Sequence, residues 1–330
     1  MSEDAREELL ASEEAQAVGE EQLVVQRTTW EHMWWRLRKD KGAMIALGFV
    51  VLVTVFAICA PLLEAITGHL YTEQFRETGL TPNGLPIAPN GEFWLGTDHL
   101  GRDQLVRLAY GARVSLLVGV LASLIAATIG VIVGLLAGFF GGWIDAVLSR
   151  LTDFVMSIPF LLCALALVSV FGASFTLCLF VVVFFSWAVI GRVIRAQVRS
   201  LKEREFVEAS RSLGAGKASI LFKDILPNLT EPIIVYTTQL IPSAIVFEAS
   251  LSFLGMGIVP PTPSWGGMLA DASTNSMYLL APWLVLVPGL MLLATTLAFN
   301  MLGDGLRDAL DPKAGRRLLL RKRRKGAKHV

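Results

Sequence analysis

Four long stretches without a charged residue limit the fold of this chain more than any other feature. They cover residues 42–63, 114–144, 154–191 and 272–303. A helix needs about 20 apolar residues to cross the hydrocarbon core of a bilayer, and inside it the backbone must satisfy its own hydrogen bonds. The sequence therefore predicts an all-α, polytopic membrane protein. We predict six transmembrane helices, at residues 43–65, 112–138, 147–170, 174–197, 229–255 and 280–303.

Composition agrees with a membrane protein. Of the 330 residues, 54% are hydrophobic and 17% are charged, whereas soluble domains average about 25% charged residues. This balance argues against a soluble enzyme or a nucleic-acid-binding domain. The predicted transmembrane domain takes up residues 43–311.

Lysine and arginine residues flank the predicted helices unevenly, which indicates their orientation because cytoplasmic flanks are enriched in these residues. Basic clusters precede the first helix, follow the fourth and follow the sixth, at residues 36–41, 192–204 and 316–325. The sequence predicts that both termini and the 198–228 loop are cytoplasmic. The 66–111 and 256–279 loops are then external, although four arginines in or beside the first of them weaken the asymmetry.

Three segments lie outside the predicted transmembrane domain. Residues 1–27 are rich in glutamate and predict an acidic, disordered cytoplasmic tail. Residues 28–42 predict a helix at the cytoplasmic membrane surface, with Trp30 and Trp34 at headgroup level; a cytosolic extension of the first helix is the alternative. Residues 312–330 predict a basic cytoplasmic tail that contacts anionic lipid and no nucleic acid.

The sequence predicts neither a catalytic site nor a cofactor. The three cysteines fall in predicted helices and the four histidines are scattered, so no metal-ligand spacing is visible. Residues 214–219 read GAGKAS, but Arg211 stands where a phosphate-binding loop needs its first glycine, and Ala218 where it needs serine or threonine. We therefore expect that the chain is not an enzyme and that ATP is hydrolysed elsewhere.

The predicted cytoplasmic 198–228 loop has features of a docking element. A small residue lets another protein approach a helix closely, and Gly214 can take the positive φ that ends a helix. A proline further along starts the next membrane helix. The residues that we assign to this element are Glu208, Ala209, Ser210, Gly214, Leu226 and Pro227.

Four residues inside predicted membrane helices are candidates for a substrate pathway or a subunit interface. Glu248 is costly to bury in lipid, so it is expected to line a pathway, to pair with a basic residue of a partner, or to reach the outer surface. Gly130, Gly134 and Gly138 share one helix face that another helix can approach closely. Packing within the bundle is favoured for these glycines, and an interface with a partner subunit is the alternative.

The predicted external loops are rich in turn-forming residues. Asp103 and Arg107 have the spacing of an i,i+4 ion pair on a short helix. Trp265 follows a run of prolines and predicts an anchor at the membrane interface. Pro159 is expected to kink the third membrane helix.

Taken together, these blocks resemble the permease subunits of ABC importers. The 208–227 segment is similar to their EAA signature, with Ser210 in place of the second alanine and Asp224 where isoleucine is usual. The chain also resembles the C-type subunit of dipeptide and oligopeptide permeases over about residues 28–313. The strings that carry this second resemblance lie at residues 95–103, 138–143, 248–255, 260–266 and 297–308.

This resemblance implies a type I ABC importer permease fold with a cytoplasmic coupling helix. It implies a bacterial cytoplasmic membrane location and four kinds of contact: a B-type second permease subunit, two ATPase subunits or domains, an extracytoplasmic substrate-binding protein, and membrane lipid. The expected cargo is peptide. Two alternatives stay open: the same machine importing a nickel chelate or another small solute, and a stand-alone secondary transporter or channel.

Overall fold

The computed structural model describes residues 29–310, and the acidic and basic tails expected at 1–27 and 312–330 lie outside this range. Its helices, numbered here in chain order, are α1 (Thr29–Leu37), α2 (Lys41–Ile58), α3 (Ala60–Thr67), α4 (Gln104–Phe140), α5 (Gly142–Ser157), α6 (Phe160–Phe171), α7 (Phe175–Leu201), α8 (Glu205–Ser212), α9 (Lys217–Phe253), α10 (Trp265–Ser273), α11 (Met277–Leu280) and α12 (Trp283–Leu310).

Within the described residues, five helices have the length and apolar character that crossing a membrane requires. These helices are α2, α4, α7, α9 and α12. The pair α5 and α6 adds a sixth crossing if the two count as one span, but it bends by 82°. The break lies at Ile158 and Pro159, where both residues have extended backbone angles, because proline cannot continue the helical hydrogen bonds. The kink predicted at Pro159 is therefore confirmed.

Two helices extend well beyond the predicted boundaries. Helix α4 contains 37 residues, so it is about 55 Å long. It begins eight residues before the predicted start at residue 112. Helix α9 begins at Lys217, twelve residues before the predicted start at residue 229. Both extensions contain polar residues that hydropathy assigns to loops, and tertiary packing holds them in helices.

Contacts divide the chain into two units, and the larger one covers residues 41–307. In this unit α4 is central and packs against α2, α7 and α9. Its core consists of several apolar clusters, one of which joins Val53 of α2 to Leu116 of α4 and Phe299 of α12. Loop residues 68–103 and 254–282 gather at the α4 N-terminus, and we call them the loop cap.

The smaller unit contains, among described residues, 29–40 and 308–310. Within it, the Arg36 guanidinium donates a hydrogen bond to the Ala309 carbonyl at 3.5 Å. Trp34 and Trp35 are exposed, and the cationic groups of Arg38 and Lys39 lie over their rings. A helix is therefore present where the sequence predicts an interfacial one.

Candidate functional site

The predicted docking element folds as a short helix followed by a glycine turn. Helix α8 is capped at its C-terminus by Leu213, and Gly214 has φ +83°. The amide of Ala215 donates to the carbonyl of Ser210 at 3.0 Å, the six-to-one bond of a Schellman motif. A side chain disfavours this backbone angle, which explains why glycine occupies the position. Gly214 therefore ends α8 in the conformation that the sequence predicted.

A single apolar side chain fixes α8 to the membrane bundle. Val207 is fully buried in a cluster formed with α4, α7 and α9. The buried members of this cluster are Ala127, Leu135, Ile190, Ile194, Val198, Val207, Ile220, Leu221, Ile225 and Leu229. Val207 therefore places α8 against an apolar cluster that α4, α7 and α9 share.

The opposite side of α8 is exposed and apolar. Phe206, Ala209 and Leu213 are spaced three and four residues apart, so they share one helix face. Phe206 is 41% exposed and Leu213 is 88% exposed. Glu208 beside them is also exposed. We call this surface, formed by Phe206, Ala209 and Leu213, the α8 face.

Pro227 lies in a 3-10 turn three residues before the regular α-helix at Thr230, close to the predicted start at residue 229, but helical turns already precede it from Lys217. A π-helical segment at Ile220–Ile225 and a 3-10 segment at Leu226–Leu229 precede the regular helix at Thr230. Pro227 has no amide hydrogen, and such irregular turns let a helix continue past a missing bond. Only the 213–216 turn therefore separates α8 from α9.

The three candidate glycines face α7 of the same chain. A Cβ atom at Gly130 would lie 2.7 Å from the Trp187 carbonyl oxygen, and one at Gly134 would lie 2.8 Å from the Gly191 carbonyl oxygen. At Gly138 it would lie 2.7 Å from Cβ of Val198. This glycine face is therefore filled by packing within the chain.

Glu248 is fully buried between α4, α9 and the loop cap. Its carboxyl oxygens accept hydrogen bonds from the hydroxyls of Ser115 at 2.9 Å and Ser252 at 2.7 Å. Each hydroxyl in turn accepts a backbone amide of the cap, from Trp265 at 3.4 Å and from Ile258 at 3.2 Å. Glu248 does not reach the surface of the chain, and we call this arrangement the Glu248 relay.

The loop cap contains a buried cluster of ionic groups. Asp98 pairs with Nε of Arg102 at 2.6 Å and with Nε of Arg107 at 3.2 Å. Asp271, from α10, pairs with Nη2 of Arg102 at 3.2 Å and with Nη2 of Arg107 at 3.5 Å. The cluster therefore ties the two loops of the cap together. The i,i+4 spacing of Asp98 and Arg102 indicates part of this cluster in the sequence. No feature of the sequence indicates that Asp271 takes part.

Two loop predictions were wrong. Asp103 does not pair with Arg107; it caps α4 by accepting the amides of Leu105 and Val106, and it bonds to Nδ1 of His69 at 2.7 Å. Trp265 is fully buried, with its indole donating to the Leu108 carbonyl at 3.3 Å. In both cases a residue distant in the sequence supplies a partner, His69 for Asp103 and Leu108 for Trp265.

The sequence predicted no metal site, yet Asp98, His99 and Asp271 bring potential ligand atoms within 4.8 Å of one another. The carboxylates of Asp98 and Asp271 already bind guanidinium groups. We therefore assign the two aspartates to the ionic cluster of the cap.

Two family models match the chain. The model described as "Binding-protein-dependent transport system inner membrane component" matches residues 130–316, which is more than half of the chain. The model described as "N-terminal TM domain of oligopeptide transport permease C" matches residues 28–79. The first match includes the docking element and the second includes α1, α2 and α3.

Similar proteins include a dipeptide transport system permease protein DppC from Alkalihalophilus pseudofirmus, 38% identical over 86% of this chain and 90% of that protein. A glutathione transport system permease protein GsiD from Salmonella paratyphi A is 42% identical over 87% of this chain and 91% of its own length. Among solved structures, inward-facing conformations of the MetNI methionine ABC transporter match with a TM-score of 0.48 and 18% identity, over 62% of this chain and 96% of that one.

Proposed function

Because this chain belongs to the family of binding-protein-dependent transport system inner membrane components, we propose that it is a permease subunit of an ATP-driven importer of short peptides. The family match and the dipeptide and glutathione permeases among its relatives support this function. The observation that carries it is the α8 face, an exposed apolar surface on a helix fixed to three membrane helices.

The α8 face is the proposed contact with an ATPase subunit. Leu213 and Phe206 provide apolar area for a cleft, and Ala209 allows close approach of the helix backbone. Glu208 is positioned at the edge of this surface for a polar contact. Closure of two ATPase subunits on ATP would move α8, and Val207 would pass this movement to the bundle.

The remaining partners follow from the same function. A second, B-type permease would complete the passage, and an extracytoplasmic binding protein would deliver the peptide. In the bacterial cytoplasmic membrane, both termini and α8 would face the cytoplasm, as the basic flanks indicate. Trp34 and Trp35 would then contact lipid headgroups.

Leu213→Ser provides the test, because Leu213 is 88% exposed and its replacement leaves the bundle intact. The tagged chain is expressed with its permease and ATPase partners, purified, and reconstituted in vesicles with the binding protein. We expect the wild type to retain the ATPase and to import peptide. Leu213→Ser is expected to lose about 1.5–3 kcal/mol of docking energy, or about tenfold or more in ATPase affinity.

Leu70→Ser is the matched control, since Leu70 is an exposed leucine in the loop cap, beside the other end of α4. It should keep wild-type ATPase retention and import. If Leu213→Ser also retained the ATPase and imported peptide normally, the α8 face would not be the coupling surface. Import of a nickel chelate and not of peptide by the wild type would replace the proposed cargo.

A further inference from the structure

A cavity of about 240 Å³ lies between the second loop of the cap and the adjacent ends of α4 and α9, and it has no role in the function proposed so far. Its wall includes the apolar, proline-rich 258–263 segment and two charged groups, Arg107 and Asp271. The lining residues are Arg107, Ala173, Ser252, Gly255, Ile258, Val259, Pro260, Thr262, Pro263, Ser264, Gly267, Ala270 and Asp271.

Arg107 is buried at this wall with loosely satisfied terminal nitrogens. Its Nη1 lies 3.4 Å from the Tyr71 carbonyl oxygen and 3.5 Å from that of Pro261, and its Nη2 lies 3.5 Å from Asp271. Hydrogen bonds between a guanidinium and a carboxylate are normally about 2.7–2.9 Å long. The Nε atom of Arg107 is better paired, at 3.2 Å from Asp98, so the long contacts are confined to its two terminal nitrogens.

Buried terminal nitrogens that make only long contacts are weakly compensated for lost water unless something else occupies them. The two terminal nitrogens of an arginine form a planar fork that matches both oxygens of a carboxylate. The donors of Arg107 therefore suit a ligand carboxylate that enters the cavity. Asp271, also in the wall and one-third exposed, is an acceptor for an N–H group of the same ligand.

The apolar part of the cavity wall limits which ligands fit. Ile258, Val259 and Pro260 line it, and the volume suits one amino-acid residue. A C-terminal residue of a peptide offers a carboxylate, a side chain and a preceding amide N–H within that size. An acidic side chain of another protein offers the carboxylate and leaves the apolar wall uncovered.

We propose that this cavity binds the C-terminal residue of a short peptide, with the carboxylate on Arg107 and the side chain against the proline-rich wall. The site rests on the proposed function, because it would receive the peptide on the external side before passage. It assigns to this subunit a direct part in recognising cargo that bears a free carboxylate.

The test measures equilibrium binding of radiolabelled alanyl-alanine to the purified complex of both permeases and the ATPases, without the binding protein. Unlabelled N-acetyl-alanyl-alanine, which keeps the carboxylate, should displace the label. Alanyl-alanine amide, which lacks it, should compete about 10- to 100-fold less well.

Gly267→Leu fills the cavity while keeping every charged group of the cap. An added Cβ at Gly267 would meet only Oγ of Ser264, at 3.4 Å, so the change fits the backbone. Gly289→Leu is the matched control, because a Cβ there meets only Leu269, at 3.8 Å, and Gly289 does not line the cavity. We expect tenfold or greater loss of peptide binding for Gly267→Leu and wild-type binding for Gly289→Leu. Arg107→Gln should lose binding as well.

Three results would overturn the proposal. In the first, the wild type binds no alanyl-alanine, and the cavity holds only water. In the second, the amide competes as well as the free acid. In the third, Gly267→Leu binds the dipeptide normally, which would show that the dipeptide does not occupy this cavity. Because the assay needs no transport, import by wild-type vesicles separately decides whether the proposed function is correct.

Discussion

Replacing Glu248 with glutamine exchanges one carboxyl oxygen for an NH₂ group and separates the possible roles of this residue. In the Glu248 relay, both serine hydroxyls accept a backbone amide and donate their own hydrogen to a carboxyl oxygen. Glutamine offers one oxygen and one NH₂ group. The serine hydroxyl opposite the NH₂ group then has two donors beside it, that group and the backbone amide of the loop cap. The hydrogen of this hydroxyl has lost the carboxyl oxygen that accepted it.

The cost can be worked from this geometry. One buried hydrogen bond is lost and one buried donor is left unsatisfied, which costs about 1–3 kcal/mol. Since 1.4 kcal/mol corresponds to a factor of ten, the two cap amides held by the relay should open about 5- to 140-fold more often. The membrane bundle keeps its apolar core, so assembly of the subunits should be unchanged.

Hydrogen exchange of the purified complex measures this opening directly at the amides of Ile258 and Trp265. We expect faster exchange at both positions in Glu248→Gln, and reduced peptide import as the cap loosens. Ser252→Ala removes one arm of the relay and should affect Ile258 alone.

Ser250→Ala is the matched control, because the Ser250 hydroxyl is exposed and bonds the Val246 carbonyl of its own helix. Its exchange pattern should equal that of the wild type. Unchanged exchange at Ile258 and Trp265 in Glu248→Gln would refute the relay. Loss of import without any change in exchange would instead favour a pathway role for Glu248.

Three further predictions concern packing, capping and orientation. Gly134→Leu should lower the thermal midpoint of the complex by overpacking against α7, at a cost of about 1–3 kcal/mol or more. Gly48→Leu, at a position where an added Cβ would meet no atom within 4 Å, should leave the thermal midpoint unchanged. Equal midpoints for the Gly134→Leu and wild-type complexes would contradict the close packing. Asp103→Ala removes the N-cap of α4 and the His69 contact, so we expect about 1–2 kcal/mol lower stability in a denaturation assay. An unchanged denaturation midpoint would show that the Asp103 side chain does not stabilise the protein. A fluorescent reporter that folds only in the cytoplasm should fluoresce when fused after Val330, whereas activity of a reporter restricted to the outside would reverse the topology.

The membrane helices were predictable because charge is excluded from them over long stretches of sequence. The turn at Gly214 was predictable for a similar reason, since few residues other than glycine tolerate its backbone angle. Both features depend on local chemistry, which the sequence displays directly.

Long-range pairing was not predictable. Ser115 is 133 residues from Glu248, and nothing in either neighbourhood indicates the other. The same holds for Arg107, whose local spacing pointed to Asp103 and whose actual partners include Asp271 on another loop. Tertiary contacts also extended α4 and α9 over polar segments that hydropathy leaves out of membrane helices.

The close contact between α4 and α7 has a consequence for how the protein is made. The face that carries Gly134 is filled by Ile194, about 60 residues later in the chain. At a synthesis rate of about 5–20 residues per second, α4 leaves the ribosome roughly 3–12 s before its packing partner. During that interval the glycine groove is open to lipid or to the insertion machinery, so the bundle has to close after the helices have entered the bilayer.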